Sequence, residues 1–97
     1  MSAKVLICET DESYLDALVK YLVASDSALN ITCYSEVKGF MAEKGSYDVM
    51  LMSHEFWMAE NKKVHGRINI QITSGEDDLI DGLEHMYKFQ NMQKLLE

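Results

Sequence analysis

The sequence predicts an α/β domain built on a parallel five-stranded sheet. Two patterns carry that expectation. Short apolar runs alternate with helical stretches along the whole chain, the order that strands joined by crossover helices produce. The runs are also continuous, as in strands buried on both faces, and Lys4-Val5-Leu6-Ile7-Cys8 is the clearest of them. The chain has 97 residues and is 47% hydrophobic, which suits one packed core and one small domain.

Each element follows from its residues. After the first strand, Thr10 or Asp11 caps a helix over residues 12–24, with Asp11 and Glu12 where acid suits the helix dipole. Tyr14, Leu15, Leu18, Val19 and Leu22 recur at helical spacing and form its inner face. Asp26 to Asn30 is a turn, and Ile31-Thr32-Cys33-Tyr34 is β-branched and aromatic, hence a second strand. Ser35 is placed to cap a second helix, with Glu36 in its first turn, Val37, Phe40 and Met41 inward, and Gly45 just past its end. Asp48 to Met52 is the third strand. Residues 54–66 read as a loop with at most a short helix. Ile68, Ile70 and Ile72 alternate up to Thr73-Ser74 as a fourth strand. Glu76 to Glu84 allows a short helix with Leu79, Ile80 and Leu83 inward, weakened by Gly82. His85 to Phe89 is the fifth strand, and Asn91 to Leu96 begins a last helix. Five strands connected in this way suit the flavodoxin-like order 2-1-3-4-5, here with shortened third and fourth helices.

Ligands of such sheets bind at the carboxyl ends of the strands. In this chain those ends carry Glu9, Thr10 and Asp11, then Ser53, then Thr73 and Ser74, then Lys88. The segments around them resemble the receiver domains of response regulators. Val5-Leu6-Ile7-Cys8-Glu9-Thr10-Asp11-Glu12 resembles the opening strand with its acidic pair. Asp48-Val49-Met50-Leu51-Met52-Ser53 resembles the third strand, Ile72-Thr73-Ser74 the fourth, and Tyr87-Lys88-Phe89 the fifth. The resemblance covers nearly the whole chain and implies the CheY-like version of the flavodoxin-like fold. In that family the acidic pair holds magnesium and an Asp after the third strand takes the phosphoryl group. The Thr and Lys contact the phosphoryl oxygens, and the Thr couples to a surface aromatic on the fifth strand, near the position of Tyr87.

The departures fall on this site. Thr10 stands where the second magnesium-binding acid would be, and Ser53 stands where the acceptor Asp would be. The prolines expected after the third and fifth strands are missing, with Phe89 in the second place. A serine hydroxyl without an adjacent base is a poor nucleophile beside a carboxylate, and it brings no charge to a metal that binds through carboxylates. Ser53 is therefore expected to be a degenerate phospho-acceptor position. Glu9, Thr10, Asp11, Thr73 and Lys88 then form a vestigial pocket. Glu9 and Asp11 read as a solvated cluster at the helix start rather than a cation site. Thr73 reads as a strand end and Tyr87 as a packing residue, because a switch needs a ligand that distinguishes its two states.

Other chemistry finds less support. Ser53-His54 is not a nucleophile and base, since neighbours at a strand end point apart and no orienting acid is evident. His54, His65 and His85 lack zinc-ligand spacing. A flavin phosphate would meet Glu9-Thr10-Asp11-Glu12 where it needs a cradle of amides. No cofactor, no bound metal and no enzyme activity are expected. Phe56-Trp57-Met58 is either a partner surface, with Trp57 and Tyr87 as its aromatics, or a cover for the sheet where a third helix would lie.

The net charge of −7 argues against nucleic acid or an anionic membrane as direct partner. Cys8 and Cys33, each in a strand-like run, read as core residues and fit a reducing, cytoplasmic setting. Residues 1–95 make one receiver-like domain. Leu96-Glu97 reads as the remnant of a tag, and the short last helix suggests a piece of a longer protein. The ending Tyr87-Lys88-Phe89-Gln90 resembles the atypical receiver domains that precede MinD/ParA-like ATPases of Tad/Cpa-type pilus assembly. That resemblance implies a phosphorylation-independent interaction or dimerisation module. Its partner would be another protein or a second copy, and an ATPase or effector domain would follow in the parent chain. The alternative is a divergent response-regulator receiver still switched by a phosphoryl group or small ligand.

Overall fold

The computed structural model describes residues 3–75 and 78–88. In chain order these form β1 (Lys4–Cys8), α1 (Glu12–Ser25), β2 (Asn30–Tyr34), α2 (Val37–Phe40), β3 (Gly45–Ser53), α3 (His54–Met58), β4 (Val64–Thr73) and β5 (Glu84–Tyr87). The strands make one five-stranded sheet in the order β2-β1-β3-β4-β5, and every neighbouring pair is parallel. This is the flavodoxin-like arrangement expected from the sequence.

Strand alternation divides the core into two layers. Val5, Ile7, Leu51 and Ile72 face α1 and pack with its Tyr14, Leu15 and Leu18. Leu6, Cys8, Met50 and Met52 face the other way and pack with Phe40 of α2 and Phe56 of α3. Because β1 is central and flanked on both sides, Leu6, Ile7 and Cys8 are fully buried. That is why this strand reads as an unbroken apolar run. Asp11 is the residue that caps α1, its carboxylate accepting from the Tyr14 N–H at 3.2 Å, and the helix runs one residue past its expected end.

Several elements depart from expectation. Strands β3 and β4 are nine and ten residues long, β3 running past both ends of Asp48–Met52 and β4 starting at Val64, well before the expected Ile68. Their extra lengths pair with each other, Gly45 with Val64 and Ser46 with His65. Ladder hydrogen bonding rather than apolar pattern therefore sets their starts, and residues 64–66 belong to β4 instead of a loop. Gly45 opens β3 at φ +123° rather than ending a helix. Helix α2 is a single turn with Glu36, not Ser35, at its cap position, and the Glu36 side chain makes no capping bond. Met41 lies beyond that turn and is exposed rather than inward. Cys33 is exposed, unlike Cys8, because β2 is an edge strand with a single neighbour.

The helix expected over Glu76 to Glu84 is absent from the described part of that segment. Residues 78 and 81–82 are turns, Gly82 has φ +89°, and Glu84 already belongs to β5. The fully buried Gln71 explains this. Its side chain donates to the Asp78 carbonyl at 2.8 Å and accepts from the Ile80 N–H at 2.8 Å, so backbone groups that a helix would use are held by a strand residue. The fifth strand ends at Tyr87 rather than Phe89. Phe89, Gln90 and the expected last helix over Asn91 to Leu96 lie outside the described residues.

Helix α3 is also a single turn, and its exit is unusual. Ala59 caps it, and Glu60 follows at φ +53° with its N–H donating to the Trp57 carbonyl at 3.3 Å. A left-handed residue just past a helix is usually glycine, because a Cβ is strained there. Glu60→Gly is therefore expected to stabilise the protein by about 0.5–1 kcal/mol, the relief of strain exceeding the added freedom of the unfolded chain. The urea midpoint measures it. A lower midpoint would mean that the Glu60 side chain contributes more than its backbone strain.

Candidate functional site

The carboxyl ends of β1, β3 and β4 and the residue after β5 bring most of the candidate side chains to one end of the sheet. Glu9 follows β1 and is held by its backbone, whose N–H donates to the Tyr34 carbonyl at 3.1 Å. Its side chain is buried, only 1% of the residue being exposed. One carboxylate oxygen accepts from the Lys88 ammonium and, at 3.3 Å, from the Asp11 N–H. The other, Oε2, is buried without a hydrogen-bond partner among the described residues.

Lys88 and Glu9 are 79 positions apart in sequence and form a largely buried ion pair. The Lys88 ammonium also lies 5.6 Å from the centre of the Tyr14 ring, within reach of a cation–π attraction. Tyr14 comes from the first turn of α1. Burial, and then the nearby Glu9 carboxylate, push its phenol up to about 12. Its hydroxyl, like Glu9 Oε2, is buried without a partner among the described residues.

Ser53 ends β3 one residue beyond the Met52–Cys8 pair, which places it beside the start of the Glu9 segment. It is buried, and its hydroxyl meets no acceptor, donor or base among the described residues. Ser53 is also the cap position of α3, with no side-chain capping bond, so strand passes into helix without a connecting loop. His54 makes no hydrogen bond to it. A serine in this setting has nothing to take its proton.

Thr73 and Tyr87 are register partners on β4 and β5. The buried Thr73 hydroxyl lies 2.7 Å from the Gly75 carbonyl and 2.6 Å from an Asp78 carboxylate oxygen, and accepts from the Gly75 N–H at 3.2 Å. It has one proton to share between two acceptors, and all its contacts are to its own loop. Tyr87 is half-buried and Ser74 exposed. Thr10 and Asp11 turn to other tasks. The exposed Thr10 hydroxyl donates to the Glu55 carboxylate of α3 at 2.9 Å, and Asp11 caps α1. Trp57 stands apart, packed against the core layer under α2 and α3.

The structure thus brings Glu9 and Lys88 together with Tyr14, sets Ser53 beside them, and leaves the side chains of Thr10, Asp11 and Thr73 bonded elsewhere. Tyr14 was legible only as an inner-face helix residue. Gln71 lies between Ile70 and Ile72 and was not singled out in the sequence; its full burial depends on the loop that folds over it. Among the described residues, no group of three or more His, Cys, Asp or Glu side chains is placed to hold a metal ion. No helix there is long and apolar enough to cross a membrane. Compared with known proteins, the chain matches no family model and no curated relative.

Proposed function

We propose that the chain is a protein-interaction module on a receiver-like scaffold, working without phosphoryl transfer. The observation that carries this is the Lys88–Glu9 ion pair. The cation that would meet a phosphoryl oxygen is already neutralised by a buried carboxylate, and Ser53 offers neither charge nor an activated nucleophile. Thr73, the second group expected on such an oxygen, is bound to Gly75 and Asp78. A net charge of −7 further disfavours a free anion at this end. Binding to another protein or to a second copy remains as the use of the scaffold, in a reducing, cytoplasmic setting that suits an exposed free Cys33. Placement ahead of a pilus-assembly ATPase rests on the resemblance of Tyr87-Lys88-Phe89-Gln90 alone.

A nitrogen-15 amide titration with magnesium and then beryllofluoride tests the reading. The expected result is a flat response at Asp11, Ser53, Thr73 and Lys88. Saturable shifts clustered there would overturn it and favour a receiver that still senses a phosphoryl group. Ser53→Ala is expected to leave self-association unchanged in sedimentation. It should leave stability unchanged or raise it by up to about 1 kcal/mol, since a buried hydroxyl without a partner is lost.

A further inference from the structure

Strand β4 outruns its outer neighbour. It spans Val64–Thr73, but β5 pairs with it only from Ile70 onward. Residues 64–69 therefore have β3 on one side and no strand on the other among the described residues. A strand in that position presents unpaired N–H and C=O groups, a template for one more strand. The stretch is within reach of solvent. His65 is exposed, Ile68 is 48% exposed, and the Arg67 side chain is 83% exposed. One main-chain group is already engaged, the Gly66 carbonyl, which accepts from the Asn69 amide at 3.0 Å.

Charge decides what kind of strand fits. The chain carries a net −7, yet residues 61–75 contain no Asp or Glu. Lys62, Lys63 and Arg67, three of its nine Lys and Arg residues, lie in this run together with His65. Lys62 and Lys63 are exposed in the turn that leads into β4. The Lys63 ammonium donates to the Met41 carbonyl at 3.0 Å, a neutral partner that leaves its charge intact. Glu60 precedes the run, and Asp48 of β3 approaches Arg67 only to 3.9 Å, while its other oxygen accepts from the Lys4 N–H. A contact that long between exposed side chains does little to hold the guanidinium. The opposite edge offers no such charge, since β2 (Asn30–Tyr34) has no charged residue and is followed by Glu36. Like charge also disfavours pairing of two copies through this stretch, because an edge that meets itself brings the cations together.

From the open ladder and its charge we propose that residues 64–69 of β4 bind an extended acidic segment of another protein, added to the sheet as a further strand. Main-chain hydrogen bonds supply the binding and alternate side chains the choice of partner. Acidic side chains meet Lys62, Lys63 and Arg67, and an apolar one lies against Ile68. This names a surface and a partner class for the interaction module, and rests on that reading. The site lies away from the carboxyl ends of the strands, so its test and the beryllofluoride titration are read on different amides and either can fail alone.

The test titrates the whole nitrogen-15-labelled chain, at low salt, with capped Glu-Val-Glu-Val-Glu-Val, with its Lys-Val counterpart, and with the acidic peptide N-methylated at every residue. The expected result is saturable amide shifts at residues 64–69 with the acidic peptide, weakened by added salt, and none there with the Lys-Val peptide. The N-methylated peptide keeps the charges but cannot donate to the ladder, and should bind at least roughly tenfold more weakly. Lys62→Glu combined with Arg67→Glu changes two exposed side chains and should weaken the acidic peptide roughly tenfold, with the rest of the spectrum unchanged. No saturable shift at residues 64–69, equal binding of the N-methylated peptide, or unaltered affinity in the folded double variant would each overturn the proposal. So would concentration-dependent shifts at residues 64–69 without peptide, which would put a second copy on this edge.

Discussion

Lys88→Met is expected to destabilise the fold by about 3–5 kcal/mol, the loss seen when one partner of a buried ion pair is removed. Glu9 is almost wholly buried, and among the described residues its carboxylate oxygens hold only the Lys88 ammonium and the Asp11 N–H, with Oε2 unpaired. Without Lys88 a charged carboxylate stays in the interior beside the Tyr14 ring. The loss also reaches the sheet. Strand β5 is four residues long, pairs only with β4 among the described residues, and is followed directly by Lys88, so the ion pair ties this end of the sheet to the interior strand β1. Urea denaturation of Lys88→Met, Glu9→Gln and the double variant measures the coupling. The double variant is expected to recover most of the loss, since two neutral side chains leave no buried charge. A cost below about 1 kcal/mol for Lys88→Met would show that Glu9 is not held by Lys88, in line with a solvent-exposed pair. It would also return a free cation to the phosphoryl position and remove the main support for a phosphorylation-independent module.

The same pair shows where sequence stops being informative. The five strands and their order were legible because a parallel sheet imposes local patterns: an unbroken apolar run for central β1, and a helical stripe from Tyr14 to Leu22 for α1. The lengths of β3 and β4 were not, since Ser46 and His65 are polar and enter the sheet only because their backbones pair. Nor was the turn at residues 78–82, which exists because Gln71 captures two backbone groups of that loop. At the candidate site, the positions of Glu9, Ser53, Thr73 and Lys88 at strand ends followed from the alternation of elements. Which of them touch did not follow. Whether Lys88 meets Glu9, Ser53 or solvent depends on contacts between residues 79 positions apart, and on Ser53 being too short and uncharged to compete. Thr73 makes the same point, because its partner Asp78 sits in a segment that looked helical.

Phe56→Ala is expected to cost about 3–5 kcal/mol, the range for removing a buried aromatic ring. Phe56 is fully buried and meets Phe40 edge-on, with ring centres 5.7 Å apart and planes at 76°. The effect should exceed that of ordinary cavity formation in one respect. A five-residue helix has no stability of its own, and α3 starts directly from β3 without a loop, so its position depends on what Phe56 packs against. That position sets both ends of the molecule's candidate chemistry. Glu55 of α3 receives the Thr10 hydroxyl at the end of β1, and Trp57 packs against the core layer under α2 and α3. Phe56→Ala should therefore shift the amide resonances of Thr10 and Asp11 as well as those of α3, while the half-buried Trp57, changed to Ala, should cost less stability. It should instead weaken self-association or partner binding. If Phe56→Ala lowers the unfolding free energy by less than about 1.5 kcal/mol, α3 is held by the strand that precedes it rather than by its aromatic contact.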